Sequence, residues 1–264
     1  MACSFRVITF HGTVRALRFR HAGSRRIRLG VHMPLVKKLV CLANSRKLSG
    51  RCVAGMVDGA SGEWVRPVSA RPNREVSAGE RLYKDETEPD ILDIVLVPLH
   101  RPQPHGFQSE NWLLDSGFYW EKVGRVGWSE LMRLEQRPSA LWINGDSTYN
   151  GINDRIPTEE AVALPDSLKL IRVTGLTLQV HTPGAMFGDR RLVLRARFSH
   201  AGNQYMLRVT DPIYEAEYLA KPEGVYELSE AFLTVSLGEP YEGHVYKLLA
   251  AIIERAKIRA GSRP

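Results

Sequence analysis

Along most of this chain, short apolar bursts with a period of two are broken by turn-forming residues. The clearest stretch is residues 39–69, LVCLANSRKLSGRCVAGMVDGASGEWVRPVS. It holds three strand-like runs, 39–43, 51–57 and 63–68, separated by segments rich in Gly, Ser, Asn and Asp, residues that tolerate turn geometry. The pattern predicts a β-meander. Arg46 and Lys47 fall in its first connecting loop, with Arg51 just beyond and Arg71 after the third run. Trp64 and Arg66 stand two apart in that third run, so they share a face. A flat ring beside a guanidinium suits a stacked base or a held phosphate. A core tryptophan with solvated charges fits the same pattern.

Further on, 90–99 reads as an apolar strand, 129–136 as a short helix capped by Ser129, and 158–164 as another. Residues 141–156 carry Asn-Gly twice and Gly145-Asp146. That is strong turn chemistry, for a structural loop or a binding loop. Trp112, Phe118, Tyr119 and Trp120 crowd one region and suit packing. After Pro165 the chain is nearly all β. Runs 168–173, 176–181, 192–199 and 204–210 have strand character, and the last two make a hairpin. A symmetric register puts Arg195 opposite Arg208, with Arg197 on the face of Arg195. Facing like charges destabilise a sheet unless they splay into water or hold an anion. Asp211-Pro212 opens a helix over 213–219, with Asp211 as cap and Pro212 in the first turn. Residues 231–237 read as strand; 245–253 suit either helix or strand.

The chain has 264 residues and a formal net charge of +7, enough length for one large or two small domains. Seven arginines and no acid lie in residues 1–33. Without that leader the rest is formally neutral, so a general basic coat for phosphate backbones is absent. We expect residues 1–33 to be disordered or to precede a natural start at Met33. Charge is nonetheless uneven. Residues 37–84 hold ten basic and four acidic side chains; 85–121 hold one and eight. Three cysteines fit a reducing cytosol, hence a cytoplasmic location. No stretch is apolar enough to span a bilayer.

Motifs for chemistry are missing. There is no phosphate-binding GxxxxGK[ST], strand-linked GxGxxG, HExxH, CxxC or GxSxG. Cys41, Cys52, His100 and His105 match no zinc spacing. Asp90, Asp93 and Glu121-Lys122 match no nuclease order. No metal, cofactor or catalytic residue is expected.

The phrases CLANSRKLSGRCVAG, WVRPVS, ENWLLD, RVTDP and YLAKPEGVYELSEAFLTVSLGEPYEG resemble the bacterial dual-OB family over about residues 33–253. The resemblance implies two consecutive OB-like β-barrels with a few short helices, drawn here as 34–165 and 166–264. It also implies that 245–253 is a closing strand and that the setting is a bacterial conflict or defence system. Such barrels use a strand face and nearby loops to grip single-stranded nucleic acid or sugars. The leading expectation is a non-catalytic module binding nucleic acid or a nucleotide-like ligand through Arg46, Lys47, Arg51, Trp64, Arg66 and Arg71. Arg195, Arg197 and Arg208 form a second patch. The alternative is a protein-interaction adaptor, with partners from neighbouring genes and an exposed apolar patch at Trp112, Phe118 and Trp120. An uncharacterised hydrolase or nuclease ranks third.

Overall fold

The computed structural model describes residues 34–60, 62–184 and 188–260. The expected leader, 1–33, lies outside the described residues. The first sheet contains β1 (Leu35–Lys47), β2 (Gly50–Val57), β3 (Trp64–Val68), β4 (Asp93–Pro102), β5 (Asn111–Leu114) and β6 (Glu121–Arg125). Its order is β1-β2-β3-β5-β4-β6, and β4 also pairs with β1, which closes a five-stranded barrel. Only β3 and β5 run parallel. The length of β1 allows closure: residues 35–40 pair with β4 and 39–47 with β2. Between Cys41 and Ala43 the register slips by one at Leu42, a bulge that bends and twists the strand. Gly55 opposite Cys41 permits the close approach, since a Cβ there would strike the Val40 carbonyl.

A short helix, α1 (Ala78–Arg81), lies between β3 and β4. After β6 come α2 (Trp128–Leu134), β7 (Arg155–Pro157) and α3 (Thr158–Ala161). α2 starts one residue before the predicted 129. Its cap position is Gly127 rather than Ser129, because Glu130 accepts the Gly127 N–H at 3.0 Å.

The second sheet contains β8 (Leu168–Val173), β9 (Leu176–His181), β10 (Val193–His200), β11 (Asn203–Val209), β12 (Gly224–Leu228), β13 (Ala231–Leu237) and β14 (His244–Glu254). Its order is β12-β9-β10-β11-β14-β13-β8. β8 and β9 are separated only by Thr174 and Gly175, so together they act as one bent strand. Taken so, they repeat the role of β1, pairing with β13 at one end and β10 at the other. β11 and β14 are parallel, as β3 and β5 are. Helix α4 (Pro212–Leu219) follows the third strand, as α1 does. Asp211 caps it, accepting the Ile213 N–H at 3.0 Å. The molecule is therefore two consecutive OB-like barrels, and 245–253 is the expected strand. Among the described residues no helix is long and apolar enough to cross a membrane.

One buried cluster fills each barrel, and another lies between them, with Val40, Leu42, Met56 and Trp64 against Leu168, Leu170, Phe232 and Ile253. Polar groups pin this seam where both barrels carry bulges. The Thr234 hydroxyl, beside the bulge in β13–β14, donates to the Leu42 carbonyl at 2.6 Å. The Arg46 N–H donates to the Thr210 carbonyl at 2.9 Å. Segment 141–157 lies against the second barrel: β7 pairs with β14, and Ile152 bridges to Met206.

Candidate functional site

An OB barrel presents ligands to its second and third strands and to the loops after its first and fourth strands. In the first barrel those loops are the tight turn at Leu48–Ser49 and residues 103–110. In the second they are the described residues 182–184 and 188–192, and 238–243. Both sets open on the seam. A cleft of about 270 Å³ lies at the first barrel's edge, lined by Arg46, Lys47, Cys52, Arg66, Arg74 and Gln108, and closed from the second barrel by Glu239. A cleft of about 750 Å³ lies at the second barrel's edge, with Arg46, Arg191, Arg208, Asp189 and Glu215 on its walls. Arg46 lines both.

Strand pairing explains why Arg46 can do so. The sequence suggested a loop over 44–50, yet β1 continues to Lys47, with Arg46 opposite Arg51 and Lys47 opposite Gly50. The turn shrinks to Leu48 and Ser49, and Leu48 takes a φ of 50°. The two cations therefore extend on a stiff strand into the seam. Arg46 grips Glu215 of α4 with two bonds, Nε to Oε2 at 2.9 Å and Nη2 to Oε1 at 2.7 Å. The Glu215 hydrogen bond holds the Arg46 pKa above its usual range. Lys47 reaches Glu239 at 2.7 Å. Both ion pairs cross from one barrel to the other.

Trp64 does not serve as a stacking surface. It is 7 % exposed, belongs to the seam core, and donates its indole N–H to Gln136 at 3.0 Å. Every residue of β3 is buried. One face lines the barrel, and the face expected to meet solvent meets the rest of the protein. Arg66, 3 % exposed, pairs with Glu110 at 3.0 Å and donates to the Ser167 hydroxyl at 2.9 Å. Arg71 pairs with Glu75 at 3.2 Å. Arg51 points into a separate cleft, beside Glu88 and Asp211.

In the second barrel the predicted register holds, with Arg195 opposite Arg208. The turn is tighter than drawn. Ala201 and Gly202 both take positive φ, as a two-residue hairpin of the primed type requires. The strain between the two arginines is relieved unequally. Arg195 is taken by Asp154 at 3.0 Å, a protein carboxylate rather than water or a bound anion. Arg208 stays exposed on the cleft wall, with no hydrogen bond or ion pair among the described residues. Desolvation, then the charge of Arg46, lowers its pKa. Arg197 is exposed and away from both clefts.

Of the nine predicted residues, the seam brings together Arg46, Lys47, Arg66 and Arg208. Arg74, Arg191, Glu215 and Glu239 were missed. Arg46 and Glu215 are 169 residues apart, so no local pattern joins them. The adaptor surface is also corrected: Phe118 and Trp120 are buried, Trp120 inside the first barrel, and Trp112 lies under the Lys37 ammonium at 4.4 Å. Asp93 is buried and tied to Lys122 and Arg125 at 2.7 and 2.9 Å. Among the described residues no group of three or more His, Cys, Asp or Glu is placed to hold a metal ion.

The sequence profile of the dual OB-containing domain matches residues 37–252. The chain belongs to the dual OB-containing domain family. No curated protein matches it. In this chain Leu48 and Gln108 of the first barrel line one cleft with Gly238 and Glu239 of the second.

Proposed function

We propose that this protein is a non-catalytic binding module that holds single-stranded nucleic acid, or a nucleotide-like ligand of the same phosphate chemistry, along the seam. One observation carries the reading: the ligand-side loops of both barrels open onto adjoining clefts that share Arg46 and hold more cations than carboxylates. In the first cleft Glu110 answers Arg66, Glu239 answers Lys47 and Glu215 answers Arg46, which leaves Arg74 without a carboxylate among the described residues; the second sets three arginines against two acids. Among the described residues no aromatic side chain lines either cleft. Base stacking therefore contributes little, and phosphate contacts dominate. Such binding is tolerant of sequence and weakens with salt, log K falling by about 0.7 per phosphate contact for each tenfold rise in salt for single strands.

Fluorescence anisotropy with a labelled single-stranded oligonucleotide tests this. The double variant Lys47→Glu/Arg74→Glu is expected to bind more weakly than wild type at low salt, with a shallower salt slope. Equal affinity and equal slope for the two proteins would remove the seam as the binding surface.

A further inference from the structure

The larger cleft has a charge pattern that is incomplete without an anion. Three guanidinium groups face it. Arg46 is held by both oxygens of Glu215. Arg191 is held by Asp189, Nε to Oδ1 at 3.0 Å and Nη2 to Oδ2 at 2.6 Å. Arg208 has no acceptor among the described residues, and Arg46 is the neighbouring charge that acts on it most strongly. Its strand position forbids retreat, because Arg195 lies directly opposite on β10 and takes Asp154 for itself.

Glu215 spends both oxygens on the Arg46 fork. A phosphoryl group carries three acceptor oxygens and up to two charges, so it can accept from two guanidinium forks at once. We propose that this cleft is a phosphoryl-anion subsite organised by Arg208 and Arg46, in which Glu215 is the resident competitor and yields Arg46 when the anion enters. This rests on the seam being the ligand surface and adds what the seam recognises: phosphate rather than base. Arg208 is the fixed, unclaimed cation. Arg46 is shared between ligand and barrel contact. The incoming anion replaces a carboxylate at Arg46 rather than finding an empty hole.

Inorganic tripolyphosphate is the probe, titrated calorimetrically into the full chain, with the oligonucleotide as a parallel arm. Wild type is expected to bind it. Arg208→Gln loses roughly tenfold in affinity, the size of one charge-assisted contact. Glu215→Gln gains affinity, since the competitor is gone. Arg197→Gln, an exposed arginine outside the cleft, matches wild type. Equal losses in Arg208→Gln and Arg197→Gln would mean diffuse charge and overturn the subsite. So would weaker binding in Glu215→Gln, or no tripolyphosphate binding at all. If the oligonucleotide still binds in that last case, the subsite fails and the seam reading stands. If tripolyphosphate binds through Arg208 and the oligonucleotide does not, the subsite stands and the strand reading fails.

Discussion

Two pairs of arginines face each other across strands in this molecule: Arg46 with Arg51, and Arg195 with Arg208. In each pair one member takes a carboxylate from outside its own hairpin, Glu215 for Arg46 and Asp154 for Arg195. The other member has no ion pair among the described residues. The two carboxylates differ in setting. Asp154 is 3 % exposed and its arginine 12 %; Glu215 is 12 % exposed and its arginine 50 %. The same bond type is thus a closed lock in one place and an open clasp in the other. A closed pair is costly to break because it leaves an uncompensated buried charge. An open pair can be exchanged for water or a ligand.

Breaking the lock gives the largest effect. Asp154 also accepts from the Thr148 N–H at 2.7 Å and the Thr148 hydroxyl at 2.6 Å. Those bonds hold segment 141–157 against the second barrel. Asp154→Ala strands Arg195 and leaves buried Lys247 without its nearby negative charge. We expect a loss of about 3–5 kcal/mol, in the range for removing one partner of a buried pair, read from the midpoint of urea unfolding. A loss below about 1 kcal/mol, the level of a surface pair, would erase the distinction between lock and clasp.

Lys247 sharpens it through pH. The residue is 1 % exposed, and its ammonium donates to the Ile143 carbonyl at 2.6 Å and to Asn144 at 2.9 Å. Burial pushes its pKa from 10.5 down to about 7, with Asp154 pulling it back up. Below pH 7 the folded and unfolded chains both carry this proton, and the full cost of burying the charge applies. Between about 7 and 10.5 the folded protein sheds the proton first, so stability rises with pH. Lys247→Met is expected to flatten that rise, measured as the difference in unfolding free energy between variant and wild type from pH 6.5 to 9.5. Parallel curves would place the ammonium in a wetter setting than its burial implies.

These contrasts also mark where sequence reading stops. The strands were legible because strand and turn chemistry are local; that they close into two barrels was implied by the family resemblance. Gly202 sits where the Ala201–Gly202 turn needs positive φ, which fixed Arg195 opposite Arg208. The apolar run at 245–253, ambiguous by composition, became strand once it had to close a barrel. The candidate site was only half legible. Trp64 and Arg66 do share a face, but a period of two cannot say whether that face meets water or another barrel. Arg46 and Lys47 were read as loop because Asn44, Ser45 and Ser49 resemble turn residues. Pairing with β2 overrode that preference. The carboxylates that complete the seam, Glu215 and Glu239, come from the other barrel and leave no mark near residue 46.

The smallest expected effect is the most informative about the clasp. A double-mutant cycle on Arg46→Ala and Glu215→Ala should return a coupling of about 0–1 kcal/mol, as for exposed pairs. It should shrink as salt rises from about 0.1 M, where the screening length is about 10 Å, to 1 M. The same cycle on Arg195 and Asp154 should give a larger coupling that salt hardly alters. Weak coupling is what an exchangeable contact requires, because an anion can take Arg46 from Glu215 only if the barrels do not depend on that bond to stay together. The seam core of Leu42, Phe232 and Ile253 supplies that independence, and removing the ion pair should leave the two barrels docked. A salt-insensitive coupling above about 2 kcal/mol would place Arg46–Glu215 among the buried locks and make its surrender to a ligand too costly to occur.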